Sequence, residues 1–288
     1  ELNMLQNTSL KTTRSFWKDF ISYVYENNYI PVNKYSNRIM LFEYEYSAWE
    51  QIDDLDKKSL NTIFLPNDEL QSIINRIDVF IENKERYATL GVPHNILFLF
   101  HGIPGSGKTS LIHAVASHFN LNIATFDFGR DVNDRVLKKA IQKLPEDTVL
   151  VIEDIDCLFG SRKPNDEHKN EITFSGLLNI LDGINQVKDM IVFITTNHIE
   201  QLDCALKRRI HHFMKFDYAT NDQKTRMINT YFPDTKPEVV KKLIKPKTTM
   251  NILQKFLIKS LNDVEIQNVD DFENFNNEYI NLQNSLYS

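Results

Sequence analysis

The spacing of apolar residues changes several times along this chain, and each change marks an element. Between Thr13 and Asn28, the residues Phe16, Trp17, Phe20, Tyr23 and Val24 recur at helical spacing, which predicts an amphipathic helix facing a core. Its polar face is not basic, which argues against a helix lying on a membrane. Asn27, Asn28 and Pro31 end it. From Arg38 to Tyr46 the period falls to two, with Met40, Phe42, Tyr44 and Tyr46 on one face, and a strand is expected. Asp53 to Lys58 is charged and reads as a boundary, and Asn61 to Leu65 as a short extended segment. Pro66-Asn67-Asp68-Glu69 opens a helix with Asn67 or Asp68 as its cap. Ile73, Ile74, Ile77, Phe80 and Ile81 form its apolar stripe, and Gly91 with Pro93 stops it.

From there short apolar runs alternate with helical segments. Strands are expected at 96–100, 121–126, 148–152, 190–195 and 213–216. Leu111, Ile112, Val115, Ala116 and Phe119 mark a helix after the first run, and further helices are expected over Asp131 to Lys143 and Ile172 to Leu181. This alternation predicts an α/β fold with a parallel five-stranded sheet covered on both faces. Residues 160–170 read as a polar loop. From Asn221 onward the pattern is helical only, with stripes at Met227, Ile228 and Tyr231, at Val239, Val240, Leu243 and Ile244, at Ile252, Leu253, Phe256, Leu257 and Leu261, and at Phe272, Phe275, Tyr279 and Leu282. Three parts are therefore expected: a small α+β region over 1–58, the α/β part over 59–218 and a helical part over 219–288.

Composition narrows the partners. With 288 residues, 42% hydrophobic and 25% charged, the chain reads as a globular protein with a sizeable core. A net charge of -6 gives no support to a broad nucleic-acid contact. Two cysteines, Cys157 and Cys204, make no disulfide framework, so a reducing compartment is expected. No apolar run approaches a membrane span and no targeting peptide is visible. A chain beginning at Glu1 leaves an upstream anchor or targeting segment open.

The chemistry centres on His101-Gly102-Ile103-Pro104-Gly105-Ser106-Gly107-Lys108-Thr109-Ser110. G-x-x-x-x-G-K-T between a strand and a helix is the phosphate-binding loop of P-loop nucleotidases. Glycines let successive N–H groups point at phosphate oxygens, and the helix N-terminus adds partial positive charge. Lys108 is expected at the β/γ-phosphates of ATP and Thr109 on Mg²⁺. The third strand ends in Val151-Ile152-Glu153-Asp154-Ile155-Asp156, with Glu153 and Asp154 as the acids of the Walker B pattern. Acids at the carboxyl end of a strand beside the P-loop strand face the same phosphates. One would hold Mg²⁺ and the other would orient and polarise water. Asn197, closing the fourth strand in Thr195-Thr196-Asn197, would help to place that water. Lys207-Arg208-Arg209 is either a solvated basic helix end or an arginine finger, and the motifs before it favour the finger. His211 and His212 are adjacent on a strand and make a poor metal pair.

Together these motifs resemble the AAA family of ATPases, and within it the branch of the chaperone of respiratory complex III assembly. Residues carrying the closer likeness are Glu153-Asp154, in the reverse of the family's usual order, Thr173 to Gly183, Ile194-Thr195-Thr196-Asn197-His198 and Tyr87 to Pro93. Ser47-Ala48-Trp49 resembles the end of that branch's N-terminal domain, and Thr249 to Phe256 its lid helix. The resemblance implies a P-loop AAA domain with a C-terminal helical lid over 219–288 and part of the N-terminal domain over 1–58. It implies that Gly102 to Ser110 bind ATP, that Thr109 and Glu153 serve Mg²⁺, that Asp154 activates water and that Asn197 is sensor one. The reversed acids leave the last assignment of Glu153 and Asp154 open. Arg208 and Arg209 match the two arginines of the family's R-P-G-R without its Pro-Gly, which leaves open which of them acts as the finger.

By the same resemblance the chain is expected to be an ATPase forming a homo-oligomeric ring, six- or seven-fold, that remodels or translocates a protein client. A mitochondrial inner-membrane site on the matrix side is expected if it follows the family, and a cytosolic one otherwise, with membrane contact only through a segment upstream. The richness in Asn, Lys and Ile points to a divergent relative, viral or protist for instance, with a different client. The alternatives are an AAA protein acting on nucleic acid, such as a loader, helicase or packaging motor, and a nucleotide switch without turnover. Only Asp127 to Arg130 are expected between the second strand and the next helix, too few for a long pore loop, so the client is expected to move folded.

Overall fold

The computed structural model describes residues 37–45, 47–126, 132–156, 173, 176–178, 189–261, 266 and 269–286. The helix expected over 13–28, the polar loop 160–170 and most of the helix expected over 172–181 lie outside the described residues.

Seven strands form one sheet in the order β2-β1-β4-β5-β6-β3-β7. They are β1 (Arg38–Glu45), β2 (Ala48–Asp56), β3 (Asn95–Gly102), β4 (Asn122–Thr125), β5 (Thr148–Ile152), β6 (Met190–Thr196) and β7 (His212–Phe216). The five strands expected after residue 95 are all present, and each pairs in parallel with its neighbours. The N-terminal hairpin extends this sheet. β1 lies parallel to β4 and antiparallel to β2, with a register irregularity between Leu41 and Phe42. β2 was not expected, because Asp53, Asp54 and Asp56 are poor strand formers. At an exposed sheet edge those same charges discourage pairing with another chain. Trp49 fixes the hairpin by donating its indole N–H to the Ala140 carbonyl at 2.8 Å, and Tyr44 stacks on Phe126 at 5.6 Å.

The central strands are buried on both faces, as a parallel sheet between helices requires. In β3, Ile96, Phe98 and Phe100 enter one core with Ile74, Ile77, Leu111 and Val115. Leu97 and Leu99 enter the opposite core with Leu137, Ile141 and Leu206. The first core is covered by α1 (Asn67–Glu82) and α3 (Lys108–Phe119), with the short α2 (Lys84–Leu90) ending at Gly91 in the left-handed region. The helix α1 starts one residue earlier than its expected caps. Pro66 takes the cap position, and its carbonyl accepts from Glu69 N at 3.1 Å. Residues 60–62 form a 3-10 turn, not the extended segment expected, because the Ser59 hydroxyl accepts from Asn61 N.

On the other face, α4 (Asp134–Gln142) is capped by Asn133, whose side chain accepts from Arg135 N and Val136 N. That cap starts the helix at Asp134, later than expected; Asp127 to Arg130, the short connection expected before it, lie outside the described residues. After the short α5 (Cys204–Lys207) and β7, the chain is helical: α6 (Asn221–Tyr231), α7 (Pro237–Leu243), α8 (Met250–Lys259) and α9 (Phe272–Leu286). These pack on a third core of Ile228, Leu253, Phe256 and Phe272, which also takes in Phe64 from the segment before α1.

Candidate nucleotide site

The carboxyl ends of β3, β5 and β6 meet at one place, which is where ligands bind in open parallel sheets. The turn from β3 into α3 follows from two glycines. Gly102 has φ 132, and a Cβ there would stand 1.8 Å from the Phe216 carbonyl oxygen. Ile103 N donates to that oxygen at 3.2 Å, which ties the loop to β7. Gly107 caps α3 at φ 106. The helix has no side-chain cap and no acid in its first turn, so its leading N–H groups are left for an anion.

Lys108, 8% exposed, is turned back over its own loop. Its Nζ donates to the carbonyls of Gly102 at 2.8 Å and Ile103 at 3.1 Å, and to Asn197 Oδ1 at 2.8 Å. Burial draws its pKa below the ordinary lysine value, against the opposing pull of Asp154, Asp156 and Glu153. Ser106 closes the loop internally by donating to Ile103 O at 2.6 Å.

The two acids part company at the end of β5. Glu153 Oε1 accepts from the Thr109 hydroxyl at 2.5 Å. Asp154 has φ 45, and its N–H donates to Thr195 Oγ1 at 3.0 Å. That turn brings its Oδ1 to Asn197 Nδ2 at 3.2 Å. Burial first, and then the charges of Asp156 and Glu153, push the Asp154 carboxyl above the ordinary value, with Lys108 opposing. Its carboxylate is thereby more basic than an ordinary aspartate's, which suits a proton acceptor.

These groups line a cavity of about 450 Å³, within the range of small-molecule sites. Its polar wall is the loop from Pro104 to Ser110 with Glu153, Asp154 and Asn197. Its opposite wall is Ile63, Phe64 and Leu65 with Met227, Met250 and Gln254 from the helical part. Asn251 N donates to Gly105 O at 3.1 Å, so the first turn of α8 rests directly on the loop. A cationic loop with free helix N–H groups, a hydroxyl–carboxylate pair and an apolar wall together fit a nucleoside triphosphate with Mg²⁺. Gly102 and Ile103 stand behind the loop and serve it through their carbonyls.

Arg208 and Arg209 do not line this cavity. Arg208 is exposed, and Arg209 is half-buried with Nη1 donating to Ala205 O at 2.7 Å. His211 is occupied within the fold, its Nδ1 accepting from Leu97 N at 3.0 Å. Asp156, Thr195, Thr196 and Asn251 lie in stretches quoted from the sequence but were given no role of their own there. The repeat of an acid two residues after Asp154, opposite the paired threonines before Asn197, was the available signal for the first three.

Residues 98–218 match the family described as "ATPase family associated with various cellular activities (AAA)". Over 236 residues, or 76% of this chain, the sequence is 34% identical to the probable mitochondrial chaperone BCS1-A of Dictyostelium discoideum, covering 56% of that protein. It is 28% identical to the human mitochondrial chaperone BCS1 over 242 residues, 81% of this chain and 57% of the relative. An AAA-ATPase of Arabidopsis thaliana is 35% identical over 182 residues, 57% of this chain and 38% of the relative. The chain thus spans about half the length of the curated relatives it matches.

Proposed function

We propose that this chain, which belongs to the AAA family of ATPases and is related to the mitochondrial BCS1 chaperones, binds ATP with Mg²⁺, hydrolyses it and uses the cycle to remodel or translocate a protein client. The observation that carries the reading is Asn197, whose amide joins the Lys108 ammonium at 2.8 Å to the Asp154 carboxylate at 3.2 Å. A phosphate-binding cation, a sensor amide and a basic carboxylate in one line make the parts list of a phosphoryl-transfer site. When bound, Mg²⁺ supplies charge neutralisation for the phosphates.

The chain's own residues do the rest. Lys108 gives up its contacts to Gly102 O and Ile103 O and turns to the β/γ-phosphates. Thr109 and Glu153 would hold the metal. Asp154 takes the proton of the water that attacks the γ-phosphorus, Asn197 holds that water in line, and the bond to the ADP oxygen breaks. The pairing of Glu153 with Thr109 and of Asp154 with Asn197 supports this division of the two acids. Arg208 and Arg209, exposed or half-buried away from their own cavity, fit a finger that serves a neighbour in a homo-oligomeric ring of six or seven subunits. The protein client follows from the relatives' names as chaperones. Steady-state turnover of MgATP by the purified chain, with and without Asp154→Asn, tests the reading. A wild-type chain without turnover sinks it, and turnover that survives Asp154→Asn intact removes Asp154 from the role of base.

A further inference from the structure

Asn197 is the first residue beyond the β6 ladder, whose last pairing to β3 is Thr196 with His101. Its backbone N–H therefore has no strand partner, yet its side chain has to span Lys108 and Asp154. The partner it finds is a carboxylate. Asp156 Oδ1 accepts from Asn197 N at 3.3 Å and from the Thr196 hydroxyl at 2.7 Å. The Thr196 oxygen in turn accepts from His198 N at 3.0 Å. Asp156 is 7% exposed and Thr196 fully buried, and among the described residues no cation forms an ion pair with Asp156.

A buried carboxylate without a paired cation is a costly brace. A neutral side chain could hold two donors for less. What the charge adds is strength, because hydrogen bonds to an ionised acceptor are roughly twice as strong as neutral ones. Here that strength is spent on the two residues that aim Asn197. We propose that Asp156 is a positioning residue of the hydrolytic centre, acting through Thr196 and the Asn197 backbone to hold the Asn197 amide between Lys108 and Asp154. The catalytic consequence rests on the ATPase reading above; the geometric claim does not. Asp156 does not line the cavity. It fixes the direction in which the Asn197 side chain leaves the backbone, and a sensor amide misplaced by about an ångström loses most of its effect.

The test uses the full chain in two arms. In the nucleotide-free ¹⁵N-labelled protein, Asp156→Asn should move the Asn197 backbone and side-chain amide resonances and speed exchange of the backbone amide by about tenfold, with the other β6 amides unchanged. In the MgATP assay, Asp156→Asn should lower kcat by about tenfold to a hundredfold and leave KM within about threefold. The double variant Asp156→Asn/Asn197→Ala should be no slower than Asn197→Ala alone, since one acts through the other. Thr196→Val should reproduce the defect and Thr196→Ser should restore it, which guards against an Asp156 variant that fails to fold. Unmoved Asn197 resonances, or a double variant slowed by the full product of the two single effects, overturns the proposal. A wild-type chain without turnover overturns the ATPase reading instead, and the Asn197 resonances still decide whether Asp156 fixes that residue.

Discussion

The carbonyl oxygen of Phe216 stands where a side chain on Gly102 would begin, 1.8 Å from the position of a Cβ. β7 and the P-loop meet backbone to backbone at this point. Gly102→Ala must therefore displace β7 and also hold alanine at φ 132. The two costs together are at least about 2 kcal/mol. Chemical denaturation should show a lower midpoint with an unchanged slope, and an unaltered midpoint would contradict the contact.

Glu153 and Asp154 are neighbours with different partners, Thr109 for the first and Asn197 for the second. Glu153→Gln should raise the Mg²⁺ concentration needed for half-maximal activity by about tenfold to a hundredfold. Asp154→Asn should keep ATP binding and lower kcat by about a hundredfold or more. Lys108→Ala, by contrast, should abolish binding, because the phosphates lose their buried cation. Metal titration of both acid variants decides the division, and a reversed pattern would assign the two roles the other way round.

Arg208 and Arg209 stand outside the cavity of their own chain. Arg208→Ala or Arg209→Ala should bind ATP normally, and the variant that removes the finger should lose about a thousandfold in turnover. Mixing it with Lys108→Ala subunits should recover part of the activity, since each supplies what the other lacks. An active enzyme that stays monomeric at every concentration would rule out a finger working between subunits.

Burial, then the charges of Arg76 and His211, pushes the pKa of His212 from 6.5 down to about 4. Between those values the unfolded chain binds the proton and the folded chain does not. Stability tied to the neutral ring is thus present above pH 6.5 and lost as the pH falls toward about 4. Melting temperatures of the wild type should drop more steeply over this window than those of His212→Gln, which cannot take up the proton. Parallel curves would show that His212 does not titrate as described.

The sequence made the parallel core of the sheet and the cavity's polar wall legible for a shared reason. β3, β5 and β6 are uninterrupted apolar runs, and the P-loop and acid pair lie at their ends in chain order. The β2 strand was hidden because an edge strand with one wet face and three aspartates carries no apolar period. The start of α4 was misread because hydrophobic spacing says nothing about which polar residue caps a helix, and Asn133 does so here. Asp156 was given no role from sequence because its importance depends on Thr196 and Asn197 lying across from it, a proximity created by the pairing of β5 with β6. The same holds for Asn251, which reaches the P-loop only once the helical part has folded back.

The N-terminal hairpin has a mechanical side. β1 is flanked by β2 on one edge and β4 on the other, and tension entering the chain at Arg38 runs along the strand. Its hydrogen bonds lie across that direction, so they resist as a set and cannot be peeled apart one at a time. Such a joint is stiff. β4 pairs in turn with β5, and β5 leads to Glu153 and Asp154, so the hairpin and the site's acids are tied to one continuous sheet.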